Sequence, residues 1–295
     1  MKSLMKTIVT IMALTVAGFS VKAEIISVKT MKEVQTKIED ALKTQTTENI
    51  LVAFDIDMTL TQPDHPAVYY PALKKYVDVY KKILGKLTPS QKDLMSTLTT
   101  QIVPQKLVEK DTAKIVRNIQ QKGVKVIALT SSLAGKIKDF PDKMIFLRRD
   151  QLQKMGFDFT KSLKGYVLVT EFFDFKEYLG TRPIFYHGVL STNGENNVSK
   201  GELLTALLLH VGPHYECKAR NPGFYPKVVI LVDDKKKHLK NVEAHLKSYD
   251  PSITFIGIEY EGAFAYAPQN ISKENFRKFW EKLAQLTVKK LVGAS

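Results

Sequence analysis

The chain has a single cysteine, Cys217, so it can form no internal disulfide and must hold its fold by its core alone. Arginine is scarce as well. Only Arg117, Arg148, Arg149, Arg182, Arg220 and Arg277 stand among 44 basic residues. Arginine supplies the planar fork used for specific phosphate and base recognition, whereas lysine is a mobile point charge. The net charge of +14 therefore reads as a solvated lysine-rich surface and argues against specific nucleic-acid recognition. Beyond the N-terminus no apolar run is long enough to cross a membrane. Internal repeats and low-complexity tracts are missing too. What remains is ordinary globular composition, 44% hydrophobic and 25% charged over 295 residues, enough for one large domain with insertions.

The first residues, "MKSLMKTIVTIMALTVAGFSVKAE", carry two lysines, an apolar stretch from Ile8 to Phe19 and then Val21-Lys22-Ala23. A positive start, a short apolar segment and a small residue at a cleavage point form the pattern of a signal peptide over residues 1–23. The expectation is a mature chain from Glu24 that works outside the cytoplasm, in the periplasm or secreted. No lipid-attachment cysteine follows.

Past that segment, strand-like and helix-like stretches alternate. "MKEVQTKIEDALK" (31–43) repeats apolar residues at helical spacing. The apolar runs "NILVAFDID" (49–57), "VKVIALT" (124–130), "KVVILVDD" (227–234) and "SITFIGIEY" (252–260) read as buried parallel strands. Helical patterns stand before or after them, ending in "SKENFRKFWEKLAQLTVKKLV" (272–292). The alternation predicts an α/β fold with a doubly wound parallel sheet, a single domain over 24–295. Two insertions interrupt it. The first, about 61–104, holds two helical patterns joined at Thr88-Pro89. The second, about 132–199, begins helix-like and continues with the strand-like "GYVLVTEF" and "PIFYHGVLSTNG", which read as a β-hairpin.

Two of those strands end in acid. In "LVAFDIDMTL" Asp55 and Asp57 are two apart, so they face the same way at the C-terminal end of a strand. That end is where open α/β sheets bind ligands. "VVILVDD" puts Asp233 and Asp234 in the same place on another strand. One aspartate after a strand ordinarily caps a helix. Two pairs on two strands make a cluster of hard oxygens suited to Mg²⁺, because adjacent carboxylates need a cation or a proton between them.

With these residues in view, the chain resembles the haloacid dehalogenase superfamily of aspartate-nucleophile phosphohydrolases. "DIDMTL" resembles its first motif, and the others follow in order: "VIALTS" with Thr130, "NNVSKGELL" with Lys200, and "VVILVDD" with Asp233 and Asp234. The likeness covers roughly residues 30–62, 108–135 and 195–262, and it extends to a family of exported bacterial proteins of this type. It implies a Rossmann-like core with a small helical cap in the first insertion. It also implies catalysis by Asp55 as nucleophile, Asp57 as general acid and base, Thr130 holding a phosphoryl oxygen and Lys200 neutralising charge. Mg²⁺ would be held by Asp55, Asp233, Asp234 and the backbone carbonyl of Asp57. Acid at the second position marks the phosphatases and phosphotransferases within that superfamily, so the implied function is an exported Mg²⁺-dependent phosphatase acting on phosphorylated small molecules, with transfer to another acceptor left open. Thr59 is assigned to the turn after the first strand.

Other residues are secondary. Lys235 rivals Lys200, being beside the acidic pair. The segment "SSLAGK" after Thr130 has no arginine where the resemblance would place one, so substrate positioning there is unassigned. His65 is a weak candidate for substrate contact. His187, His210 and His214 match no zinc spacing, and His210 reads as a core histidine. Tyr69, Tyr70, Tyr76 and Tyr80 read as helix contacts, a few of them lining an entrance. Two other functions stay open. One is a binding or host-interaction protein that keeps the fold, against which the complete set of catalytic residue types speaks. The other is polyanion binding through lysine, with steep salt dependence and little turnover. The sequence leaves the oligomeric state open.

Overall fold

The structure, a computed structural model, describes residues 24–163, 165–212, 223–265 and 270–292. The expected signal peptide, His214 and Cys217 lie outside the described residues.

Strand β2 (Ile50–Phe54) is buried along its whole length. Alternate side chains explain why: Ile50, Val52 and Phe54 enter one apolar cluster, Leu51 and Ala53 the other. On one face lie α1 (Met31–Leu42), α5 (Thr112–Gln121) and α6 (Met144–Lys154). On the opposite face lie α7 (Lys200–Val211) and α8 (Lys236–Tyr249). β2 pairs in parallel with β9 (Val228–Asp233) on one side and β5 (Lys125–Thr130) on the other. Beyond β9 come β10 (Thr254–Tyr260) and the edge strand β1 (Glu24–Val28), also parallel. The fold is thus α/β, built on a mostly parallel eight-stranded sheet with helices on both faces.

Beyond β5 the sheet continues through β8 (Val189–Ser191), then β7 (Ile184–Tyr186) and β6 (Val169–Glu171). β7 and β8 form a hairpin, and β6 pairs antiparallel with β7. β8 runs parallel to β5, placing Ser191 beside Thr130. The second insertion thus supplies β6, β7 and the short β8 to the sheet, and the loop after β8 brings Glu195 and Asn196 to a cavity at the strand ends. The short run was masked by its continuity with "PIFYHG". β1 was not anticipated either, since "EIISV" follows directly on the leader-like segment.

The first insertion closes at its base, where β3 (Thr61–Pro63) pairs antiparallel with β4 (Gln105–Leu107). Between them stand α2 (Tyr70–Lys75), α3 (Val77–Leu84) and α4 (Pro89–Ile102). Thr88 and Gln91 cap α4 reciprocally, and Pro89 opens it where a missing N–H is harmless. The C-terminal helix α9 (Lys273–Val292) packs on this insertion. Trp280 Nε1 donates to Ala67 O at 3.1 Å, and the Tyr80 and Trp280 rings lie 4.6 Å apart. A helix from the far end of the chain therefore completes the helical layer above the strand ends. No helix among the described residues is long and apolar enough to cross a membrane.

One glycine ties the fold to the strand ends. Gly201 in α7 lies so close to α8 that a Cβ would sit 2.8 Å from Asn241 O and 2.6 Å from the His245 ring. Its N–H donates to Asn241 Oδ1 at 2.8 Å. Although alanine is intrinsically favoured in helices, overpacking outweighs that preference here. Gly201→Ala should lose about 1–3 kcal/mol, measured by urea unfolding; an unchanged or raised midpoint would contradict the close approach.

Candidate active site

After β2 the chain turns sharply. The Leu60 and Thr61 N–H groups both donate to Ile56 O at 2.9 Å, and Met58 sits at φ 66°. This turn sets Asp55 and Asp57 at the strand end, with the Asp55 N–H tied to Val232 O of β9 at 2.8 Å. Thr59, fully buried, places its hydroxyl 3.5 Å from Asp55 Oδ2. Because β9 is the neighbour of β2, Asp233 and Asp234 arrive beside Asp55. One carboxylate oxygen from each of these three lies within 4.8 Å of the others.

Lys200 enters from the first turn of α7, which Ser199 and Glu202 cap reciprocally. Its ammonium donates to Asp55 Oδ1 at 2.5 Å and to Asp233 Oδ2 at 2.7 Å, with only 2% of the residue exposed. Burial alone would depress the lysine, but Asp233 and Asp55 outweigh it and hold it firmly protonated. Lys235 reaches Glu195 instead, at 3.3 Å.

The carboxylates differ in what surrounds them. Burial raises Asp55, only partly offset by Lys200. At Asp233 burial acts the same way, but Lys200 and the His238 ring together bring it well below the ordinary range. His238 Nδ1 lies 3.1 Å from Asp233, and its own value is raised because bonds to Asp233 and Glu195 outweigh burial. Asp234 is pushed up to about 8 by burial, then by the charges of Asp55 and Asp233. Its Oδ2 accepts a hydrogen bond from the Tyr70 hydroxyl of α2, while its Oδ1 is buried without a partner. Three carboxylates faced by one lysine, with one carboxylate oxygen orphaned, form a hard-oxygen set that fits a divalent cation such as Mg²⁺.

Asp57 points elsewhere. Its side chain stands outside the three-carboxylate group and forms an ion pair with the Arg148 guanidinium from α6. Its Oδ2 accepts from Ser132 Oγ at 3.3 Å, and Ser132 N donates to Thr130 Oγ1 at 3.1 Å. Arg148 is 2% exposed and also bonds Gln151. The loop after Thr130 carries no arginine, as the sequence shows; the buried arginine beside Asp57 comes from the next helix and faces that carboxylate. The scarcity of arginine was the usable signal: in a lysine-rich chain, an arginine kept within an apolar helix start deserves a buried carboxylate as partner.

Asp55, Asp57, Thr130, Lys200 and Asp234 line one cavity of about 510 Å³ roofed by the helical insertion and α9, and Lys235 and His238 join its wall. Tyr70 and Tyr80 line it as well. Tyr69 instead donates to Asp64, and Tyr76 to Ile271 O. His65 stacks on Phe279 at 4.2 Å, among the insertion's ring contacts. His187 lies in the β7–β8 turn at φ 47°, and His210 edges onto Phe172; neither lines the cavity.

Sequence reading missed two hubs. Glu195, after β8, takes ion pairs from Lys235, Lys237 and His238; the His238 bond, then the lysines, hold it far below the usual carboxylate range. Asp93 of α4 accepts from Tyr178 Oη at 2.8 Å and from the N–H groups of Glu195 and Asn196, fastening the insertion to that loop. Both depend on contacts between distant segments, which local spacing does not display.

The profile of a family described as "Protein of unknown function (DUF2608)" matches residues 27–289. Similar chains include an uncharacterized protein of Rickettsia bellii (strain RML369-C), 26% identical over 251 residues, which covers 81% of this chain and 78% of that one. Another, an uncharacterized protein of Rickettsia felis (strain ATCC VR-1525 / URRWXCal2), is 26% identical over 260 residues, 84% and 80% of the respective chains.

The raised Asp234 has a consequence for stability. A carboxyl whose folded value lies above its unfolded one stabilises the fold fully below the unfolded value, near 3.9, and that contribution disappears as pH rises toward about 8. The metal-free protein should therefore lose thermal stability between pH 5 and 8. Mg²⁺ should restore it most at the alkaline end, because the ion competes with the proton. Unfolding scans with Mg²⁺ and with chelator check this; a Mg²⁺ effect that is absent, or larger at pH 5, would contradict it.

Proposed function

The chain belongs to the DUF2608 family, and we propose that it is an exported, Mg²⁺-dependent phosphatase of the haloacid dehalogenase type that hydrolyses phosphomonoesters through an aspartyl-phosphate. The observation that carries this reading is the junction of Asp55, Lys200, Asp233 and Asp234 at the C-terminal ends of two adjacent parallel strands, beneath a roofed cavity.

In this reading Asp55 Oδ attacks phosphorus and forms a covalent bond as the phosphorus–oxygen bond to the leaving group breaks. Asp57, held by Arg148 and Ser132, takes up a proton from solvent as substrate enters and passes it to the departing oxygen. It then takes a proton from water, whose oxygen attacks phosphorus. The Asp55–phosphorus bond breaks and inorganic phosphate leaves. Thr130 and the adjacent loop hold a phosphoryl oxygen, while Lys200 offsets charge on Asp55 and on the transferring group. Asp55, Asp233, Asp234 and the Asp57 carbonyl would hold Mg²⁺, which when bound screens the anionic nucleophile from the anionic phosphate. The insertion and α9, roofing the cavity, limit the entry of bulk water while admitting the one water the second step consumes. Export follows from the leader-like pattern over residues 1–23.

The test is hydrolysis of p-nitrophenyl phosphate by the chain from Glu24. Turnover should require Mg²⁺, vanish with chelator and fall to background in Asp55→Asn. Retained turnover in that variant would exclude Asp55 as nucleophile. Arg148→Gln should lower kcat by roughly ten- to a hundredfold with little change in KM, since it aims the acid and not the substrate; a change confined to KM would contradict that role.

A further inference from the structure

The walls of the same cavity point to a substrate class, an inference that rests on the phosphatase reading for its chemistry. The floor is charged, and Lys92, Asp93 and Ser96 of α4 also line the cavity, but the larger part of the roof is apolar. Val68, Leu73, Tyr80, Leu84, Met95 and Trp280, from α2, α3, α4, α9 and their flanks, present carbon to the space above the carboxylates. Several polar groups of that roof are already spent on the protein. The Trp280 indole donates to Ala67 O at 3.1 Å. The hydroxyls of Thr99 and Thr100, on the cavity-lining side of α4, donate back to Met95 O and Thr97 O, both at 2.8 Å. A leaving group rich in hydroxyls would leave those that face the carbon of this roof without partners, and an unpaired buried hydroxyl is heavily disfavoured. An apolar leaving group would displace water from carbon and gain from it. The cavity, about 510 Å³, is large enough for a phosphoryl group and a medium-sized organic body together.

We propose that the substrates are phosphate monoesters of apolar alcohols, with a medium-chain alkyl or an aryl group seated under the helical insertion, and not phosphorylated sugars, polyols or nucleotides. Leu73 and Leu84 are specificity-determining residues for that group.

The experiment uses ethyl, butyl and hexyl phosphate, whose leaving oxygens are chemically alike, so that only apolar area changes. Full burial of a methylene is worth about fourfold in binding. The inference expects kcat/KM to rise about two- to fourfold per methylene, with glycerol 1-phosphate no better than the ethyl ester. Leu73→Asn and Leu84→Asn should flatten the chain-length slope. In parallel, calorimetry with ethyl-, butyl- and hexylphosphonate and Mg²⁺ reads the roof without turnover. Turnover with no chain-length dependence, or with glycerol 1-phosphate preferred over the butyl ester, overturns the inference and leaves the phosphatase reading standing. A chain-length slope in phosphonate binding without hydrolysis of any ester supports the apolar site and overturns the phosphatase reading. Neither turnover nor a phosphonate slope overturns both.

Discussion

Lys200 is buried between two carboxylates, and the arrangement around it depends on that ion pair. A buried ammonium without partners would be strongly disfavoured, and so would Asp55 and Asp233 without the ammonium. Asp233 and Asp55 outweigh burial and keep Lys200 protonated; with His238 the lysine draws Asp233 well below the ordinary range, while burial still leaves Asp55 raised. The constraint spreads outward from there. Lys200 must open a helix, so Ser199 and Glu202 cap α7. α7 must lie close against α8, so residue 201 has no side chain. Asp55 and Asp233 must meet, so β2 and β9 are neighbours in the sheet. Even with Lys200 in place the three carboxylates carry excess negative charge, and burial together with that charge pushes Asp234 up to about 8 and raises Asp55 as well. A divalent cation would relieve the same excess, which is the physical reason to expect metal dependence.

A second frame stands around the first. Arg148 aims Asp57 from α6, Glu195 gathers Lys235, Lys237 and His238, and Asp93 ties α4 to the loop carrying Glu195. Among them, Asp93 joins the helical insertion to the loop that follows β8 of the sheet. Together with α9 the insertion turns an open strand end into a roofed chamber with a charged floor and a largely apolar roof.

The central strands were legible because they are continuous apolar runs bounded by polar residues, and "LVAFDID" and "VVILVDD" displayed their acids at the ends. The helical insertion was legible from its periodicity and from Thr88-Pro89. Three things were not. β8 is only three residues long and adjoins β7 across a two-residue turn, so its place in the sheet rests on pairing with β5. The amphipathic pattern of α9 announced a helix without saying that it would join the insertion. Arg148 is ninety-one positions from Asp57, and no local pattern connects a helix residue to a carboxylate at that separation. What escaped the sequence is long-range pairing, whether of strands, of helices or of charges.

The claim at the centre is that Asp55 becomes phosphorylated. The chain can be mixed with a phosphomonoester and Mg²⁺, quenched in acid within one turnover, and its peptides weighed by mass spectrometry. The account predicts a phosphoryl adduct on Asp55 that forms and decays with turnover and is released by hydroxylamine. Turnover with Asp55 unmodified at every time, or with the adduct on another residue, would contradict it.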